Sequence, residues 1–267
     1  MPHSTSLGSR VKKIGIQLLV IAFWLLLWEA IYRYIGREVL VVSPVRAVNR
    51  LFELATTSEF WSAVLATNAR VLEGFGSSVL AGSLLAILTS RFVWLRYLFQ
   101  PLLGVIRATP LASIIILALV WLATARTPPF VVFLMVMPII WTNLFAGLTV
   151  IDGQLLEMGQ VFRFGWLKKI RYVYLPSLMP YIVSALTTGL GAAWKTAIGA
   201  EVIARPAGTM GRHVYDARIH LLTADLFAWT IAVIALSVLL GKLMVWLLTY
   251  LGRHLAGTTG RRLRSEV

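Results

Sequence analysis

The sequence predicts an all-α fold: a polytopic membrane helix bundle of about six transmembrane helices, with an interfacial helix and one long cytoplasmic loop of short helices. Three observations carry this reading. The 267 residues are 58% hydrophobic and only 13% charged, against roughly 45–50% apolar and 25% charged in a soluble domain. The apolar residues gather in blocks long enough to cross a bilayer, which takes about 20 residues. A polar, basic stretch from Ile151 to Pro180 interrupts those blocks, holding Arg163, Lys168, Lys169 and Arg171 against the two acids Asp152 and Glu157. An excess of Lys and Arg in a short loop marks the cytoplasmic side.

Met1 to Lys13 is polar, carries Arg10, Lys12 and Lys13, and reads as a cytoplasmic tail. The first span, Ile14–Tyr34, is flanked by Trp24, Trp28, Tyr32 and Tyr34, and its Glu29 and Arg33 lie four apart, close enough to pair. From Arg37 to Arg70 the chain turns amphipathic. Ser43-Pro44 can open a helix, because proline is tolerated in the first turn. Val45, Val48, Leu51, Phe52 and Ala55 then form an apolar face opposite Arg46, Arg50 and Glu53, as expected of a helix lying in the outer interface.

The second span, Val71–Thr89, is rich in Gly74, Gly76, Ser77, Ser78, Gly82 and Ser83, small residues that let helices approach closely in lipid. Arg91 and Arg96 mark a return to the cytoplasm. The third apolar block, Leu98–Ala123, contains Pro101 and Pro110 with Arg107 between them. Such an arginine must face protein or water, because lipid exposure costs several kcal/mol. Two roles stay open for it, tying down broken-helix carbonyls and lining a pore. Arg126 to Pro129 makes the next outer turn, and a fourth span, Phe130–Thr149, leads to the basic loop.

In that loop Leu155, Met158, Val161 and Phe162 form one apolar stripe on a short helix, and Phe164, Trp166 and Leu167 add bulk around a turn at Gly165. Two short amphipathic helices facing water make a docking surface. The fifth span, Tyr181–Ile203, carries Lys195 near its middle and Glu201 near its outer end; a lysine at that depth must face a cavity or a partner. Arg205 to Asp225 is an outer segment with a Gly208–Gly211 turn and a short helix bearing Asp216 and His220. His213 and His220 without further ligands do not make a metal site. The last span, Leu226–Leu251, includes Lys242, placed to snorkel, and a basic tail with Arg253, Arg261, Arg262 and Arg264 ends inside.

The net charge of +14 fits basic anchors at cytoplasmic helix ends better than nucleic-acid binding, since no basic patch is interleaved with aromatics on a soluble domain. With no cysteine there is no disulfide framework, thiolate metal site or thiol nucleophile. No GxxxxGK[ST] phosphate loop occurs; GTMGRH and GTTGRR lack both the spacing and the Lys-Ser/Thr pair. No HExxH or GxSxG occurs either, which argues against intramembrane hydrolysis. A proton- or sodium-coupled secondary carrier is the alternative reading, but it wants acids at mid-membrane and often two related halves. The acids here cluster at span ends, and no repeat is visible.

The basic loop resembles the EAA loop of bacterial ATP-binding-cassette importer permeases: Glu157 and the later Leu175-Pro176 stand at that family's spacing. The family's two alanines are Met158 and Gly159 here; its glycine, six positions after the Glu, is Arg163, and Gly165 offers the flexible turn instead. The wider chain is similar to the nitrate, sulfonate and taurine branch, through VVSP ending at Pro44, IRATP in the form Arg107-x-x-Pro110, Ala200-Glu201 followed by GTMG at Gly208–Gly211, and LGKL at Leu240–Leu243.

The resemblance implies a type I permease, one domain over 1–267, with cytoplasmic tails at 1–13 and 252–267 and a coupling-helix loop at 151–177. It implies residence in the bacterial cytoplasmic (inner) membrane, with both termini inside. Partners would be an ABC ATPase subunit dimer, a second permease copy in a homodimer, an extracytoplasmic substrate-binding protein and the lipid bilayer. No cofactor is expected on this chain, ATP and Mg belonging to the ATPase. Glu157, Met158, Gly159, Phe162, Arg163, Gly165 and Trp166 are the expected coupling residues; Arg107, Lys195 and Glu201 are the candidates for a pathway that carries a small, anionic solute.

Overall fold

The computed structural model describes residues 7–263, with side chains described from Gly15 to Leu248 and at Tyr250. Met1 to Ser6 of the amino tail, and Arg264 with the rest of the carboxyl end, lie outside the described residues. Among the described residues there are helices and turns and no strand. Among the described residues, five helices are long and apolar enough to cross a membrane, or six if one bent helix pair is a single span, as expected for a polytopic bundle.

One compact unit draws on Met1–Trp61 and His213–Ala232. Its α1 (Leu7–Ile35) is exposed along most of its length, which suits a span facing lipid. The expected Glu29–Arg33 pair forms, Arg33 Nε donating at 2.7 Å. Trp28 Nε1 donates to the Val42 carbonyl at 2.9 Å, tying α1 to the lead-in of α2 (Pro44–Ala55). Ser43 caps α2, its side chain accepting from the Arg46 N–H. This helix buries Pro44 and Ala47 and leaves Val45, Val48 and Phe52 outward, as an interfacial helix requires. Arg50 bridges Glu53 at 2.8 Å and Asp225 at 2.5 Å, and these hydrogen bonds hold its guanidinium above its usual range. Trp229 lies between the rings of Phe60 and His213, 5.0 and 4.6 Å away.

The other unit comprises Ser62–Arg212 and Val233–Val267. Most of α3 (Ser58–Arg91) belongs to it. At 34 residues, or about 51 Å of rise, α3 is longer than the expected Val71–Thr89 span because nothing in the sequence breaks it back to Ser58. The third block is two helices, α4 (Val93–Ala108) and α5 (Leu111–Trp121), bent by 105°. Pro110 explains the break: it forces Thr109 into an extended conformation, φ −76 and ψ 129.

Helix α6 (Thr127–Thr149) is the centre of this unit, with Val131, Val132, Val136 and Ile140 fully buried. The outer-turn residues Pro128 and Pro129 sit in its first turn rather than before it. Two glycines set its contacts. A Cβ at Gly74 of α3 would meet the Pro129 carbonyl at 2.6 Å and Val132 at 2.7 Å; one at Gly147 would meet Tyr181 and Leu178 at 2.8–2.9 Å. At one end Ile114, Ile115 and Ala118 of α5 pack on Val131; at the other, Leu103 and Ala86 enclose Trp141, whose Nε1 donates to Thr89.

The fifth span also differs from expectation. Helix α7 (Gly153–Val161) stands apart, but α8 (Trp166–Lys169), a π-helical turn at Ile170–Tyr174 and α9 (Leu175–Ala204) run on as one length of 39 residues. The widened turn, closed by Leu175 N–H on the Ile170 carbonyl, directly precedes Pro176, whose missing N–H and ring would disrupt an ordinary α-turn. Two further helices follow, α10 (Met210–Ile219) and α11 (Thr223–Leu263), whose apolar, span-like part is Thr223–Leu248.

Gly74→Val is expected to lower the melting temperature of the purified protein through about 1–3 kcal/mol of overpacking. Gly76→Val, where an added Cβ meets nothing within 4 Å, should leave it unchanged. Equal melting curves for the two variants would contradict the close α3–α6 contact.

Candidate functional site

The basic loop begins with Asp152 capping α7, its side chain accepting from the Gln154 N–H at 2.8 Å. The end of α7 is a Schellman closure. Arg163 N–H reaches the Gln160 carbonyl at 2.9 Å and Phe164 N–H reaches the Gly159 carbonyl at 2.8 Å, with Arg163 in the left-handed region at φ 49. Phe164 folds back over Gly159, which is buried. The reversal therefore belongs to Arg163. Gly165, expected to supply the turn, is extended at φ −63 and serves as the N-cap of α8. The physical reason is the hydrogen-bond count: the residue after the last helical turn must go left-handed to satisfy α7's carbonyls, and that place falls on residue 163.

Around this turn the loop leaves large apolar side chains exposed. Val161 is 79% exposed, Phe162 67%, Trp166 71% and Leu167 80%, with Met158 and Leu155 beside them. Glu157 is exposed on the same helix, and Lys168 follows on α8.

The three charged candidates of the spans have separate surroundings. Glu201 is fully buried: its Oε2 accepts from Thr67 Oγ1 at 2.9 Å and from the Gly211 N–H at 3.1 Å, and Thr67 Oγ1 in turn accepts from the Met210 N–H. The carboxylate thus caps the first turn of α10. Gly211 is required there, since a Cβ would sit 2.4 Å from the Glu201 Cβ. Glu201 is closed off from solvent, its Oε2 held by two donors and its Oε1 buried without a hydrogen-bond partner among the described residues. Thr67 had no signal of its own in the sequence; the Ala200-Glu201 and GTMG segments are explained by this contact.

Arg107 donates through Nη2 to the Pro138 carbonyl at 2.7 Å and to Thr142 Oγ1, and lies 6.0 Å from the Trp141 ring. The carbonyl it ties belongs to α6, not to its own broken helix pair. The same guanidinium lines a cleft of about 510 Å3 between α4 and α6, shared with Arg96, Gln100, Thr142 and Thr149. Sequence reasoning did not single out Arg96 and Gln100 as cleft residues, although their spacing from Arg107 along α4 puts all three on one stripe. Lys195 is exposed in a second, mainly apolar groove with Ser237 of α11. No group of three or more metal-ligating side chains occurs among the described residues.

The model of the family described as "Binding-protein-dependent transport system inner membrane component" matches residues 78–257, taking in the loop, both clefts and Glu201. The chain belongs to this family. This ABC importer permease is 26% identical over 197 residues to the bicarbonate transport system permease protein CmpB of Synechococcus elongatus, covering 73% of this chain and 70% of that one. It is 23% identical over 236 residues to the taurine transport system permease protein TauC of Escherichia coli, covering 86% and 84%. It is 26% identical over 188 residues to the putative aliphatic sulfonates transport permease protein SsuC of Bacillus subtilis, covering 70% and 67%. A crystal structure of an amino acid ABC transporter with histidines superposes with a TM-score of 0.60 at 18% identity, over 76% of the permease and 97% of that chain, so the fold is shared. The permease is a multi-pass inner-membrane transport subunit and not itself an enzyme. A secondary carrier is excluded by the family.

Arg163→Gly is expected to stabilise the closure of α7 by about 1 kcal/mol, since a non-glycine residue in the left-handed region costs that much. Hydrogen exchange of the amides at position 163 and at Phe164, corrected for intrinsic rates, would slow accordingly. Gly165→Ala, with open space around it and an ordinary φ, should leave both amides unchanged.

Proposed function

We propose that this chain is the solute-conducting and coupling subunit of an ATP-driven importer. It works as a homodimer, with an ABC ATPase dimer docked on Gly153–Val161 and the segment through Trp166, and an extracytoplasmic binding protein delivering the solute. Both termini are cytoplasmic in this reading, 151–177 is the coupling loop, and the whole chain is one permease domain. ATP and Mg bind to the partner. The observation that carries the proposal is the exposed apolar patch of Met158, Val161, Phe162, Trp166 and Leu167 within a basic loop. Lipid accounts for exposed apolar side chains on the spans, but a loop so rich in Lys and Arg faces water, where such a patch marks a protein interface.

The mechanism follows from continuity. Closure of the ATPase pair would push α7 and α8. Because α8, the π-turn and α9 are one length, the push reaches the span packed on α6 at Gly147, and rocking of packed spans switches access to the cavity. Glu157 and Arg163 supply charge for orientation at the interface, while Trp166 and Phe162 supply its apolar anchor. The solute is a small anion of the nitrate, sulfonate or taurine class. Support comes from the bicarbonate, taurine and aliphatic sulfonates for which CmpB, TauC and SsuC are named and from the exposed cations Arg107 and Lys195 within the spans.

Coexpressed with its cognate ATPase, the wild-type chain is expected to copurify with it and to hydrolyse no ATP alone. Trp166→Asp and Leu167→Asp should each reduce the copurified ATPase about 10-fold or more, as loss of an interface anchor does, with the permease's own melting curve unchanged. Glu157→Lys should weaken the contact more mildly. Full copurification by the Trp166 and Leu167 variants would remove the loop as the docking site.

A further inference from the structure

The cleft between α4 and α6 holds two cations with no carboxylate beside them among the described residues. Arg96 and Arg107 line it together with Gln100, Gly104, Thr142 and Thr149, and no carboxylate is among its lining residues. Each guanidinium is held by groups that fix it without neutralising it. Arg107 spends only Nη2, on the Pro138 carbonyl and Thr142, and lies over Trp141; Arg96 lies 4.9 Å over the Phe145 ring. The Nε and Nη1 donors of Arg107 remain for a ligand. Of the other carboxylates described in this unit, Glu73 pairs with Arg126 at 2.8 Å, Glu201 is sealed under α10, and Asp152 and Glu157 stand at the loop helix α7. Gly104 keeps the wall of the cleft open, since a Cβ there meets nothing within 4 Å.

We propose that this cleft is an oxoanion-binding passage, in which a sulfonate, carboxylate or bicarbonate group is drawn in at one arginine and held at the other. Eleven residues of helix separate the backbones of Arg96 and Arg107, about 16 Å along the axis, and their guanidinium groups rest on different rings of α6, Phe145 and Trp141. The two arginines are successive stations, with Gln100, Thr142 and Thr149 offering neutral hydrogen bonds around them. That arrangement suits passage, which needs sites favourable enough to enter and weak enough to leave. Fixed guanidinium groups are suited to oxoanions because their N–H fork matches two oxygens. The proposal rests on the importer-permease reading and adds to it the place and residues of anion recognition.

The chain has no cysteine, so Gly104→Cys creates a single reporter thiol in the cleft. It would be prepared in the complex with the ATPase, in nanodiscs of phosphatidylcholine alone, and labelled with a sulfonatoethyl or a trimethylammonioethyl methanethiosulfonate. Relative to a free thiol, the anionic reagent is expected to react about 10-fold faster than the cationic one, as a focused positive potential dictates. Methanesulfonate should slow that reaction several-fold, and adding Arg96→Gln or Arg107→Gln should abolish the bias. Arg107 also ties α4 to α6, so the Arg96 variant, which leaves that tie intact, carries the decision if the Arg107 variant fails to assemble. Equal rates, or no labelling by either reagent, would overturn the proposal. Protection by phosphatidylglycerol in the nanodisc but not by methanesulfonate would overturn it too, assigning the cleft to a lipid headgroup. Labelling is read on the permease whether or not ATPase is bound, so a loss of copurification would sink the importer reading separately.

Discussion

The close approach of α3 and α9 to α6 is the contact on which the larger unit depends. In lipid there is no hydrophobic gain in pressing one apolar helix on another, so association rests on van der Waals contact and on what the backbones allow. Gly74 and Gly147 provide that allowance, bringing Pro129, Val132, Tyr181 and Leu178 to distances no side chain at those glycines would permit. Once α6 is seated, α5 packs at one end and α4 at the other, around Val131 and Trp141. The cleft bearing Arg107 exists because α4 lies on α6 there.

Charge in the membrane-spanning part is managed in three ways. Glu201 is sealed by Thr67 and the first turn of α10, an arrangement that joins α3, α9 and α10 through one carboxylate oxygen. Arg107 is steadied by a carbonyl, a hydroxyl and an aromatic ring, none of which removes its charge. Lys195 lies open beside Ser237. Burying an unpaired charge is costly, so a sealed carboxylate and two open cations leave the accessible surfaces positive. The proposed anion pathway uses that imbalance.

Under the proposed coupling role, the docking surface divides into two mechanically different parts. Helix α7 ends in a closed Schellman turn and is a separate short helix, whereas α8 is joined through the π-turn to α9. A π-turn inserts one extra residue per turn and is a recurrent feature of functional helices. Here it lies between the exposed Trp166 and the span packed on α6, on the continuous path by which the proposed push reaches the core.

The class of the protein was legible in its residues alone. Apolar block length, the basic interruption at Ile151–Pro180 and the absence of a phosphate loop are local properties, and local properties set which segments span and which face water. The break at Pro110, the Ser43 cap and the Glu29–Arg33 pair were legible for the same reason. What tertiary structure decided was partnership. Nothing near Glu201 in the chain announces Thr67, because their contact joins residues 134 positions apart. Arg107's carbonyl lies on α6 rather than on its own broken helix pair, and this follows from how α4 packs. Even the loop's turn was misplaced by composition: glycine stands at 165, but the left-handed residue is Arg163, because the hydrogen bonds that close a helix are assigned by position after its last turn and not by which nearby residue is most flexible.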